Sequence, residues 1–121
     1  MGKKILLVDD TETVLMAEKM MLAGKGFQIL VAKNGAEALQ VVAQNPPDII
    51  LLDIMMPELD GIETCRRLKK DPNTSSIPVV MVTTKGDAQK VEESFSVGCD
   101  DYLTKPINKA ELLEKVRTHL I

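Results

Sequence analysis

The sequence predicts an α/β fold, a doubly wound, five-stranded parallel sheet with helices on both faces. Two observations carry this. Five short apolar runs alternate with five amphipathic stretches from one end of the chain to the other, and repeated β–α units imply parallel strands joined by right-handed crossovers. Several of the runs are nearly continuous Ile, Leu and Val, which suits strands covered on both faces rather than half-exposed ones. With 121 residues, 45% of them apolar and 27% charged, residues 1–121 read as one domain with a real core.

The elements follow in order. A first strand, Lys4–Val8, leads to a helix that starts around Thr11–Thr13 and runs to Gly24. After the Gly24–Gly26 break comes the strand Phe27–Ala32, then a helix opened by a capping-box pair, Asn34 with Glu37. Asn45–Pro47 ends that helix, and the strand Asp48–Leu52 follows. The third helix opens with Asp60 and Glu63 and stops at Asp71–Pro72. Pro78–Val82 is the fourth strand, with a helix from Asp87 to Gly98 behind it. A weaker fifth strand, Asp101–Thr104, precedes a helix opened by Asn108 and Glu111. Met16, Met20, Met21 and Met81 are expected in the core, and Met55 and Met56 in the loop after the third strand. Cys65, beside Ile62 and Leu68 on one helix face, reads as a small core residue. The charges at Lys90, Glu92 and Glu93 read as a solvated face.

Composition excludes several functions. The net charge is −3, so nothing marks a nucleic acid as partner. No apolar run reaches membrane-spanning length and the start lacks a signal-peptide pattern, so no membrane partner is expected. Cys65 and Cys99 show no metal-type spacing, which suits a reducing cytosol and a cytoplasmic location. The single histidine, His119, leaves no material for a histidine-rich metal site or a histidine-activated nucleophile.

In a parallel sheet of this kind, ligands bind beyond the carboxyl ends of the strands. Those ends carry Asp9 and Asp10, Asp53, Thr83 and Lys105; only the second strand ends blandly, at Ala32–Lys33. Each has an ordinary reading. Asp9 and Asp10 suit a helix start, Asp53 a turn, and Thr83 and Lys105 a strand end and a loop. Together they have a common one. If the second strand lies at the sheet edge, the four other ends converge on three carboxylates, a hydroxyl and an ammonium. Two carboxylates ~4 Å apart repel by about 4 kcal/mol at an effective dielectric near 20. Three of them against one lysine call for a cation, and oxygen-only donors suit Mg²⁺. A metal and a lysine beside a carboxylate nucleophile are the parts needed to transfer a phosphoryl group, with Asp53 as acceptor.

The segments "ILLVDD", "DIILLDIMMPELDGIE", "IPVVMVTT" and "GCDDYLTKPI" resemble, in order and spacing, the receiver domain of two-component response regulators, especially the single-domain chemotaxis type. The resemblance covers the chain end to end. It implies a flavodoxin-like (βα)5 fold with strand order 2-1-3-4-5 and a phosphorylation-activated switch with only slow autocatalytic transfer and hydrolysis. It further implies that Asp53 accepts the phosphoryl group from a sensor histidine kinase or phosphotransfer protein. Asp10 and Asp53 would bind Mg²⁺ directly, Asp9 through water, and Met55 through its main-chain carbonyl. Thr83 and Lys105 would contact the phosphoryl oxygens, and the peptide bond before Pro106 would be cis. Thr83 and Tyr102 would relay the signal to a downstream protein target through the fourth helix, fifth strand and fifth helix. Met55, Thr84 and Lys85 would line the path of attacking water; Thr84 stands where the family usually has alanine or glycine. The chain stops about where the fifth helix ends, so no output domain is expected within it.

Three other readings compete. A Mg²⁺-dependent aspartyl-phosphate phosphatase would want an acid two residues after Asp53, where Met55 stands. A flavodoxin-like cofactor binder would need a glycine- and hydroxyl-rich loop where the chain has "VDDTET". An unphosphorylated interaction module would not need the full set of Asp9, Asp10, Asp53, Thr83 and Lys105.

Overall fold

The computed structural model describes residues 2–84 and 86–120. Strands β1 (Lys4–Val8), β2 (Gln28–Ala32), β3 (Ile49–Asp53), β4 (Val79–Thr84) and β5 (Asp101–Lys105) alternate with helices α1 (Glu12–Leu22), α2 (Gly35–Gln44), α3 (Gly61–Lys70), α4 (Ala88–Ser96) and α5 (Lys109–His119). All pairings are parallel, in the order β2-β1-β3-β4-β5. The expected order is therefore met, and β2 is an edge.

Alternation along each strand divides the core in two. Leu6 and Val8, Ile50 and Leu52, and Val79 and Met81 face one side with Ala38 and Val42 of α2 and Ile62, Cys65 and Leu68 of α3. Ile5 and Leu7, Ile49 and Leu51, Val80 and Val82, and Leu103 face the other, with Leu15 and Leu22 of α1 and Leu112, Leu113 and Val116 of α5. β3 is buried along its whole length, as expected of the central strand.

The helix starts follow the sequence. Asn34, Asp60 and Asn108 each accept the backbone N–H of the residue three further on, Glu37, Glu63 and Glu111. Asp87 does the same for Lys90. This ties the backbone N–H groups that a helix start leaves free. Glu63 turns its carboxylate instead to Arg66 and Arg67.

Two methionines depart from expectation. Met16 is 60% and Met20 72% exposed, so neither is in the core. The buried stripe of α1 is Leu15, Glu18 and Leu22, and Met16 and Met20, four residues apart, make a second stripe turned to solvent. Met21 packs at the core margin and Met81 is fully buried, as expected. On α4, Glu92 is exposed while Lys90 and Glu93 are half-buried.

Candidate functional site

Each site residue is placed by the end of a buried strand. Asp9 follows β1, and its backbone N–H continues the ladder to the Ala32 carbonyl at 3.1 Å. One carboxylate oxygen, Oδ1, accepts the Thr11 N–H at 2.8 Å, a short turn that leads into α1. Thr11, and neither aspartate, occupies the N-cap of that helix. Asp53 is the last residue of β3, opposite Val82 in register. Thr83 comes next on β4, paired with Thr104, and Thr84 is paired with Lys105. The Lys105–Pro106 bond is cis.

This brings Asp9, Asp10 and Asp53 together, with carboxylate oxygens within 4.8 Å of one another. Asp9 and Asp53 are buried and Asp10 is exposed. The Lys105 ammonium lies between the buried pair, 3.3 Å from Asp9 Oδ2 and 3.3 Å from Asp53 Oδ1. Thr83 is buried at the same sheet edge. Met55 is exposed in the loop after β3, and Thr84 is exposed at the end of β4. Tyr102 is elsewhere. It sits in register with Met81, below the edge, half-buried, with its ring edge-on to Phe95 at 6.0 Å and Lys115 5.4 Å above it. Lys85 lies outside the described residues.

The electrostatics follow from this crowding. Burial, then the charge of Asp9, pushes the Asp53 carboxyl up to about 6 against the pull of Lys105. Burial works to lower the Lys105 ammonium, but Asp53 and Asp9 more than offset it and hold it above its ordinary value. Asp9 Oδ2 is buried without a hydrogen-bond partner among the described residues, and the Lys105 ammonium lies 3.3 Å from it. A buried carboxylate oxygen left this way is costly. An orphaned oxygen, two more carboxylates beside it and no histidine or thiolate among them fit a hard divalent cation.

Two residues of the site were not legible as such. Glu18 is 2% exposed, and burial followed by the charge of Asp9 pushes its carboxyl up to about 8, with Lys105 pulling the other way. Gly61 opens α3 directly against the end of β3. A Cβ there would meet the Asp53 carbonyl oxygen at 2.2 Å and Ile54 Cα at 2.7 Å, while the Gly61 N–H donates to the Ile54 carbonyl at 2.9 Å. The "DG" in "PELDGIE" is the sequence sign of that approach; Glu18 leaves none.

Comparison with known proteins bears directly on this arrangement. The family described as "Response regulator receiver domain" matches residues 5–117. Protein PilH of Pseudomonas aeruginosa is 40% identical, over 97% of this chain and 97% of its own length. The phosphate regulon transcriptional regulatory protein PhoB of the same organism is also 40% identical, over 98% of this chain. This chain spans only 52% of that longer relative. The crystal structure of the chemotaxis protein CheY4 of Vibrio cholerae matches with a TM-score of 0.92 at 28% identity, covering 99% of this chain and 100% of that one.

Proposed function

Because the chain belongs to the receiver-domain family of response regulators, we propose that residues 1–121 form a phosphorylation-activated switch with Asp53 as the phosphoacceptor. The observation that carries this is the buried Asp53 carboxylate, held beside Asp9 with the Lys105 ammonium 3.3 Å from both.

Asp53, unprotonated, attacks the phosphorus of a phosphohistidine on a sensor kinase or phosphotransfer protein. The new O–P bond forms as the P–N bond breaks, and the electron pair leaves with the imidazole. The Lys105 ammonium pairs with the phosphoryl oxygens on Asp53 and offsets their charge. Thr83 offers its hydroxyl to the same oxygens. Asp9, Asp10 and Asp53, with the Met55 carbonyl, would hold Mg²⁺, which when bound neutralises the carboxylates and the transferring group. Hydrolysis returns the carboxylate of Asp53 and free phosphate, and exposed Met55 and Thr84 border the approach of water.

The output follows from added charge. An aspartyl phosphate, like other phosphorylated side chains, carries roughly 1.5 to 2 negative charges and strong acceptor oxygens. Thr83 moves toward them, and Tyr102 turns into the space beside β4. A cavity of about 210 Å³ lined by Thr84, Ala88, Val91, Tyr102 and Thr104 already borders that path. The face made by α4, β5 and α5 shifts between two populations and is read by a downstream protein. No helix among the described residues is long and apolar enough to cross a membrane.

The test is intact mass after incubation with a small acyl-phosphate donor, with and without Mg²⁺. One added phosphoryl group that requires both Mg²⁺ and Asp53 is expected. Equal incorporation into Asp53→Asn would place the acceptor elsewhere.

A further inference from the structure

The buried stripe of α1 holds an acid at its centre. Leu15, Glu18 and Leu22 face the core together, and among the described residues Glu18 makes neither a hydrogen bond nor an ion pair. An unpartnered buried carboxyl weakens a fold that leucine would strengthen at the same position. Stability gives no reason for it.

Its surroundings do. Glu18 lines a groove of about 260 Å³ between α1 and the start of the β5–α5 loop, with apolar walls that include Val14, Ala17, Met21 and Ile107. Among the described residues, the one cation lining the groove is Lys105. The charged groups acting on Glu18 are Asp9 of the β1 end, Asp53 of β3 and Lys105 of β5. The same lysine is therefore shared by two places. Its ammonium lies against Asp9 and Asp53, and the same residue lines a groove with an unclaimed carboxyl, Glu18. A lysine is a compact charge on a flexible four-carbon stem, suited to exchange between such places.

We propose that Glu18 is a positioning residue, a second berth for Lys105 that the ammonium takes when a divalent cation occupies the aspartates. The inference rests on the metal reading above. Without Glu18, a cation entering the cluster must displace Lys105 from Asp9 and Asp53 with nowhere buried to go. With Glu18, displacement exchanges one ion pair for another. When a phosphoryl group brings new negative charge to Asp53, the lysine returns to it.

The test is a double-mutant cycle on the full chain, with Mg²⁺ titrated by calorimetry into wild type, Glu18→Gln, Lys105→Met and the pair. Glu18→Gln is expected to weaken Mg²⁺ binding by about threefold or more in wild type, the coupling of directly interacting residues, and to have no effect in Lys105→Met. Side-chain NMR of Lys105 provides a second readout: at saturating Mg²⁺ its Nζ should show through-space contact with the Glu18 side chain and slowed hydrogen exchange in wild type, and the fast exchange of a solvated ammonium in Glu18→Gln. Glu18→Leu should raise the metal-free Tm by a few degrees while weakening Mg²⁺ to the same extent as Glu18→Gln. An equal loss of affinity in both backgrounds means that Glu18 acts through space on the metal and overturns the berth alone. A wild type that binds no Mg²⁺ overturns the berth and the metal reading together.

Discussion

The two sides of the sheet edge are built differently. On the β1–β3 side, Asp53 ends a fully buried strand, Asp9 follows one buried along all but its first residue, and α3 buries Gly61, Ile62, Thr64, Cys65 and Leu68. On the β4–β5 side, α4 buries only Ser94, Phe95 is 46% exposed, and β5 is mostly half-buried. Packed interiors resist displacement, whereas elements with few buried groups open at low cost. The acid cluster is thus held on a well-packed floor, and the less packed face beside it is the one that the switch proposed above would move. On that proposal, a group added between them displaces the less packed side first.

The contrast can be broken most strongly at the floor. Gly61→Val should destabilise by at least about 3 kcal/mol in urea unfolding, because the added atoms meet Asp53 and Ile54 backbone that cannot move aside. Gly86, on the less packed side, has φ +89 with nothing within 4 Å of its would-be Cβ. Gly86→Ala should therefore show only the local strain of a left-handed residue, about 1 kcal/mol.

Charge comes next. The folded Asp53 carboxyl titrates at about 6 against an ordinary 3.8, so the folded state holds its proton more tightly than the unfolded state. Its contribution is full below about pH 4 and is lost as pH rises to about 6, roughly 3 kcal/mol over that window. Glu18 adds a further loss that extends to about pH 8. Metal-free unfolding between pH 4 and 8 should show this decline, and Asp53→Asn should remove its lower part. Asp10→Asn should also raise the metal-free Tm while weakening Mg²⁺ binding, read by titration, since it relieves repulsion and deletes a donor.

Much of this was legible in the chain. Strand positions and helix starts followed from apolar runs and from Asn34, Asp60 and Asn108, because these are local signals that the fold leaves intact. Asp10, Asp53 and Lys105 followed from a rule about strand ends. Glu18 did not follow, because four-residue spacing allows two stripes on α1. Apolarity favours Met16 and Met20, but the surface that α1 meets selects Leu15, Glu18 and Leu22. Gly61 left a sign in the "DG" of the third helix start, but which backbone it meets needed the distance to Asp53.

Smaller effects refine the contrast. Met16→Ser and Met20→Ser, on the exposed stripe, should change stability by no more than about 0.5 kcal/mol in urea unfolding. Met55→Asn should leave stability unchanged yet alter the phosphoryl lifetime severalfold, read by the decay of the added mass.

The most direct measurement compares backbone NMR shifts before and after adding beryllofluoride, a phosphoryl mimic, with Mg²⁺. In wild type, changes should spread over residues 86–119, while β1, β3 and the residues just after them change only at Asp9, Asp10 and Asp53. In Thr83→Ala, beryllofluoride should still bind but the response should shrink to the neighbourhood of Asp53. An equal response across α4, β5 and α5 in both proteins would contradict the coupling of a fixed acid floor to a movable face through Thr83.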